Sequence, residues 1–207
     1  MIALVDYKAG NLTSVKKALA TIGAEVFVPA EATDLAKARG IIVPGVGHFG
    51  ATRALDQSWV EVILARVGEG VPLLGICLGM QWLYESSDEA PELKGLGLLR
   101  GRVVRLQPQS AGRTPHLKVP HVGWNSLSTV RDAAIAEGIA SGAQVYFTHS
   151  YLAPVTSDTI AVTEHGERFA AIVQRGHVAG VQFHPEKSGD VGLRILRNFL
   201  AMAPRAL

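Results

Sequence analysis

A chain of 207 residues with 48% apolar and 18% charged side chains has the makeup of a compact globular protein, not a disordered one, and its length suits a single α/β domain over residues 1–207. Twenty Lys and Arg nearly balance eighteen Asp and Glu, with no basic run or arm, which argues against nucleic acid and an anionic membrane as partners. One cysteine excludes an intrachain disulfide, and neither a signal-type apolar core nor a bilayer-length apolar run occurs, so a soluble, cytoplasmic protein is expected.

In chain order, "IALVD" reads as a buried strand and "NLTSVKKALATIG" as a helix, with Leu12, Val15, Leu19 and Ile22 at helical spacing and Gly23 placed to end it. "EVFVP" and "GIIVPG" are the next strands, the latter apolar on both faces as in a parallel sheet. Ala51 to Val67 is predicted helical, "VPLLGI" a fourth strand and "LGMQWLYESS" a helix. Alternating strands and helices predict an open, mostly parallel sheet with helices on both faces. The second half changes character. "LGLLRGRVVRLQP", "HVGWNSL", "VYFTHSYLA" and "IAVTEHG" are short β-type pieces, and "AAIVQRGHVAGVQFHP" is predicted as a hairpin turning at Arg175 and Gly176. This adds a β-rich antiparallel region. A last helix is predicted from about Ser188, a candidate cap, burying Ile195, Leu196, Phe199 and Leu200.

The lone Cys77 falls where a strand ends and a helix opens, in Gly75-Ile76-Cys77-Leu78-Gly79. G-x-C-x-G is the cysteine form of the strained turn that exposes a nucleophile at the carboxyl end of a sheet strand. Small neighbours permit the tight turn, the helix start favours thiolate, and the Leu78 amide points where an oxyanion would form. A core cysteine beside a packing glycine is the bland alternative. In "GVQFHPEKS", His184 follows an apolar strand and Glu186 lies two residues on. Alternate residues of an extended segment face one way, so Glu186 can hold one ring nitrogen while the other takes the thiol proton. Alone, this is an ordinary proline turn; beside G-x-C-x-G it favours a Cys77-His184-Glu186 triad. In "PGVGHFG", Gly45 and Gly47 bracket Val46 and let its peptide reorient, making the Val46 amide a candidate second oxyanion donor, or else the loop is a tight turn needing glycine. His48 reads as turn or surface. Scattered histidines and one cysteine give no metal site, and no phosphate-binding glycine loop occurs, so no cofactor is expected.

"GICLGMQ" with "HPE" resembles the class I, triad-type glutamine amidotransferases. "DYKAGNLTSV", "PGVGHF", "KVPHVGWN", "YFTHSY" and "GVQFHPEKS" are similar, more narrowly, to the glutaminase subunits of imidazole glycerol phosphate synthases, in order from residue 6 to 188. Lys8 departs from the family, which usually carries glycine there. The resemblance implies that Cys77 attacks the side-chain amide of glutamine, that His184 relays protons and Glu186 orients it, and that the Leu78 and Val46 amides form the oxyanion hole. It further implies that Gly47, Gln81, Glu89, Ser150 and Tyr151 hold the substrate's α-amino and α-carboxylate groups. It implies a (β/α)8-barrel cyclase as partner, docked on Asn11, Trp124, Asn125, Tyr146 and Lys187. Without it, Gln81 could be an exposed helix residue, Glu89 a solvated loop residue, and Trp124 and Tyr146 core. Another synthase's glutaminase, a stand-alone cysteine hydrolase and a non-catalytic subunit are the rival readings.

Overall fold

The structure, a computed structural model, describes residues 1–107 and 118–203. Strand β1 (Ile2–Leu4) leads to helix α1 (Leu12–Thr21), β2 (Val26–Phe27), β3 (Gly40–Gly45), helix α2 (Gln57–Gly68), β4 (Leu73–Cys77) and helix α3 (Leu78–Trp82). β1 to β4 lie parallel in the order β2-β1-β3-β4. The chain then makes β5 (Ser86–Ser87), β6 (Arg102–Arg105), β7 (His121–Ser126), β8 (Ser128–Thr129), β9 (Gln144–His149), β10 (Tyr151–Leu152), β11 (Thr159–His165), β12 (Glu167–Arg175) and β13 (Val178–Val181), before helix α4 (Gly189–Met202). β13 returns to lie parallel against β4, and β12, β11 and β8 extend the sheet antiparallel, giving eight strands in all. β7 and β9 pair separately as an antiparallel ribbon.

Side-chain alternation divides the core between the two faces of the sheet. Ile2 and Leu4 pack with Val15 and Leu19 of α1 and with Ile195, Leu196 and Phe199 of α4. Ala3 and Val5 pack on the other face with Ile63 of α2 and with Met80 and Trp82 of α3. Each large apolar side chain removed from water here contributes about 1.5–3 kcal/mol. Because β13 pairs with β4 in register, Val181 opposite Ile76, the residues following each strand emerge at one edge of the sheet. That pairing brings the "GICLG" and "FHPE" segments together.

The expected elements recur with several differences. The helix expected over Ala51–Val67 is split: Phe49–Ala54 forms a 3-10 turn and α2 starts afresh at Gln57, because the Asp56 carboxylate accepts from the Ser58 and Trp59 amides and caps it. The helix after Cys77 stops at Trp82, short of the expected Ser87. The carbonyls of Trp82, Leu83, Tyr84 and Glu85 accept instead from the returning loop at Leu96, Leu99, Gly97 and Gly95. The hairpin turns at Gly176 and His177, one residue later than expected, with Gly176 at φ 57°. Ser188 precedes α4, but its hydroxyl caps nothing; it donates to the His184 carbonyl (2.6 Å) and accepts from the Tyr146 amide (3.0 Å). In the expected strand "LGLLRGRVVRLQP" only Arg102–Arg105 is β, and Pro108 lies outside the described residues.

Candidate active site

Cys77 is the last residue of β4 and the cap of α3, and its backbone turns at φ 53°, ψ −107°. Among the described residues only Lys8 shares a positive φ without being glycine. The strain is imposed by packing. A Cβ on Gly79 would overlap the Val43 carbonyl of β3, and one on Gly75 would sit 2.5 Å from the Gly79 carbonyl, so α3 can lie on the sheet backbone only if both are glycine. The sulfur is buried. It lies 3.7 Å from the Thr148 carbonyl and 3.6 Å from Nε2 of Gln182, which donates to it.

His184 continues the line of β13 in extended conformation, and Pro185 turns the chain into a 3-10 turn over Pro185–Lys187. Glu186 therefore reaches the ring from a turn, not from the extended segment expected. Its Oε1 accepts from His184 Nδ1 at 2.8 Å, with the two side chains 1% and 2% exposed. The carboxylate holds the Nδ1 proton, so Nε2, buried and without a hydrogen-bond partner among the described residues, is the nitrogen left to exchange a proton with the thiol. Burial opposes charge on this ring, but Cys77 and Glu186 outweigh it and push the imidazole well above its ordinary value of 6.5. The pair is built to accept and hold a proton.

The sulfur opens into a cavity of about 270 Å3. Its walls include Gly47, Leu78, Gln81 and Glu89 on one side and Pro120, Thr148, His149, Ser150 and Tyr151 on the other. All five residues expected around the substrate line it. Gln81 is buried, not an exposed helix residue. It donates both amide hydrogens internally, to the Tyr151 carbonyl (3.0 Å) and the Gln182 Oε1 (3.2 Å), leaving only its carbonyl oxygen for an ammonium group. Glu89 accepts from the Phe49 amide through one oxygen (2.7 Å). Among the described residues no group of histidine, cysteine and carboxylate side chains is placed to hold a metal ion, and no helix is long and apolar enough to cross a membrane.

A family model for class-I glutamine amidotransferases matches residues 3–203. The chain belongs to that family. It is 45% identical to the imidazole glycerol phosphate synthase subunit HisH of Geobacillus kaustophilus, over 98% of this chain and 97% of that one. It is 42% identical to the protein of the same name from Methanothermobacter thermautotrophicus, over 97% and 98%. A crystal structure described as a glutamine amidotransferase shares the fold, with a TM-score of 0.74 at 24% identity over 98% of each chain.

Within this amidotransferase fold, two expected features stand differently from the rest. The Val46 amide does not face the sulfur: it donates to the Ala9 carbonyl at 2.5 Å, although Gly45 pairs directly with Cys77 in the sheet. Gly47 follows at φ 95° with nothing within 4 Å of a Cβ placed there, so this turn, unlike the one at Cys77, has room to move. Leu78 opens α3 as expected. The second feature is the set of residues expected to meet a partner. Trp124, paired with Tyr146 across the ribbon, is 57% exposed and not core. Its ring meets Tyr146 edge-on at 6.0 Å, and Lys187 lies over Tyr146 at 5.5 Å. Asn125 donates to the Glu164 carbonyl, while Asn11 accepts from the Ser14 amide to cap α1. His48 is exposed and accepts from the Gly50 amide, as a turn residue would.

Sequence reasoning missed Gln182, His149, His121 and Tyr7. Gln182 was within reach of it, since it is two residues before His184 on an extended segment and so faces the same way. The Tyr7 hydroxyl is buried against Gly45 without a hydrogen-bond partner among the described residues, and burial, then the nearby Cys77, push it above its ordinary value.

Proposed function

We propose that the chain is the glutamine-hydrolysing subunit of an imidazole glycerol phosphate synthase, with Cys77, His184 and Glu186 as its catalytic triad. The observation that carries this is the strained Cys77 turn, open to the cavity, beside the buried His184–Glu186 pair, whose imidazole Cys77 is near enough to push upward. The relatives at 42–45% identity support the synthase assignment.

Cys77 Sγ attacks the side-chain amide carbon of glutamine while its proton passes to His184 Nε2. Glu186 balances the imidazolium that results. The Leu78 amide receives the developing oxyanion, joined by the Val46 amide once its peptide turns. Collapse breaks the carbon–nitrogen bond, and His184 returns the proton to the leaving nitrogen. Ammonia departs and a γ-glutamyl thioester stays on Cys77. Water, deprotonated by His184, then releases glutamate and restores the thiol. Glu89 and the Gln81 carbonyl oxygen suit the substrate's ammonium; Gly47, Ser150 and Tyr151 suit its carboxylate.

Ammonia set free in neutral water is protonated and no longer nucleophilic, so a synthase must pass it on through a dry path. The partner is a (β/α)8-barrel cyclase that combines the ammonia with a phosphoribulosyl-formimino nucleotide, giving imidazole glycerol phosphate and aminoimidazole carboxamide ribotide for histidine biosynthesis. The exposed Trp124 with Tyr146, Lys187, Asn125 and Asn11 forms its docking face, and the complex works in the cytoplasm, where a catalytic thiol stays reduced. The Val46 amide held by Ala9 supports a resting state with an incomplete oxyanion hole, which nucleotide binding at the barrel would complete. Glutamate release should be slow for the subunit alone, and fastest with barrel and nucleotide together. Equal rates in all three states would reject this control, and no glutamate in any of them would reject the glutaminase assignment.

A further inference from the structure

Behind the cavity wall formed by the ribbon, a line of polar side chains runs from the half-buried Asn125 through buried groups to the nucleophile, and the chemistry of its ends fixes every proton in it. The Tyr151 carbonyl can only accept, so His149, 2.9 Å away, carries its proton on Nδ1. His149 Nε2 is then a lone pair, and His121 Nδ1 at 3.1 Å must donate to it. His121 Nε2 accepts in turn from Asn125 Nδ2 (3.3 Å), whose other proton goes to the Glu164 carbonyl (2.9 Å). From the far side the Tyr151 carbonyl also accepts from Gln81, Gln81 donates to Gln182 Oε1, and Gln182 Nε2 is thereby turned toward the Cys77 sulfur. Reversing any one link would set donor against donor or acceptor against acceptor. A proton added to either histidine would set donor against donor, and burial above all keeps both neutral, lowering His121 to about 3 and His149 to about 4.

Resting on the glutaminase reading above, we infer that His149, oriented by His121, is a positioning residue: by fixing the Tyr151 carbonyl it sets the side-chain amides of Gln81 and Gln182, so that a donor is aimed at the Cys77 sulfur and the Gln81 carbonyl oxygen is kept for the substrate. The competing role is packing, since His121 stacks on Phe147 at 4.8 Å and His149 meets Phe169 edge-on at 5.0 Å. The two roles make opposite demands on substitutions. His149→Asn keeps a donor near the Nδ1 position and loses ring contact; His149→Leu keeps apolar contact and loses the donor.

Cys77 is the only thiol, so its alkylation by iodoacetamide at neutral pH reads the sulfur directly, without glutamine or a partner. His149→Leu should slow alkylation about tenfold, the loss of one oriented hydrogen bond, while His149→Asn should stay within about threefold of the parent. In the assembled synthase, His149→Leu should lower kcat for glutamate release and raise the glutamine KM, with His149→Asn again the milder. His149→Leu equal to or better than His149→Asn in both assays would overturn the inference. Should His149→Leu not fold, Gln182→Met, similar in shape but lacking the donor, must show the slowed alkylation, and an unchanged rate would overturn it equally. Glutamate release that persisted in Cys77→Ala would instead strike at the part of that reading that makes Cys77 the nucleophile, and the alkylation results would stand apart from that failure.

Discussion

On one side of the cavity the Cys77 turn is held by backbone contacts so close that neither Gly75 nor Gly79 has room for a methyl group; on the other, His149 and its neighbours are held by hydrogen bonds that leave no room for a proton. The first wall is fixed by shape, the second by protonation. Shape constraints of this kind act at every pH. A protonation constraint answers to pH and depends on segments that meet only when β7 and β9 pair and β13 returns to β4. Even within the first wall there is a contrast: the turn after β4 is locked, and the adjacent turn at Val46–Gly47 is not.

The harshest way to break the first wall is Gly79→Ala. A methyl group would be driven into the Val43 carbonyl, part of a sheet that cannot yield, so a loss of about 3 kcal/mol is expected in chemical denaturation, with activity falling alongside. A loss under about 0.5 kcal/mol would show that the turn is not locked.

The second wall is tested by mild acid. His121 and His149 have folded-state values far below the ordinary 6.5, so each contributes stability that is present above 6.5 and lost as pH falls toward its folded value. With both neutral when folded, stability should fall by about 2 kcal/mol between pH 6.5 and 5.5. His184 has the opposite sign: its raised value contributes stability below 6.5 that is lost as pH rises through the folded value, so it offsets little of the acid loss. Denaturant midpoints at the two pH values measure the fall, and His121→Gln should roughly halve it. A fall of the same size in that variant would remove the histidine pair as its source.

The smallest effect belongs to Lys8. It holds φ 64° on the surface, in the segment whose Ala9 carbonyl restrains the Val46 amide. Lys8→Gly removes the steric cost of that conformation and should stabilise by about 0.5 kcal/mol, after the added freedom of glycine in the unfolded chain is offset. A destabilised variant would mean that the lysine side chain contributes more than its backbone costs.

The same division explains what could be read from the sequence. β3 was legible to the residue over Gly40–Gly45, and α1 with its Asn11 start nearly so, because burial on both faces and helical spacing are local patterns. The tight turn at Cys77 was legible through its neighbours' sizes, and so was the pairing of His184 with Glu186, though not the turn that makes it. The early end of α3 was not, since it depends on carbonyls taken by a loop further along the chain. Nor was the line through His121 and His149, which come from separate segments and signal nothing singly. The glycines around Val46 announced a peptide able to turn; its present direction toward Ala9 needed coordinates.

The most direct measurement compares two nitrogen donors in the assembled synthase, parent against Cys77→Ala. The expected result is that Cys77→Ala abolishes synthesis from glutamine while synthesis from supplied ammonium continues at the parent rate. Normal synthesis from glutamine in the substituted complex would contradict the assignment of Cys77 as the nucleophile, and with it the function built on that turn.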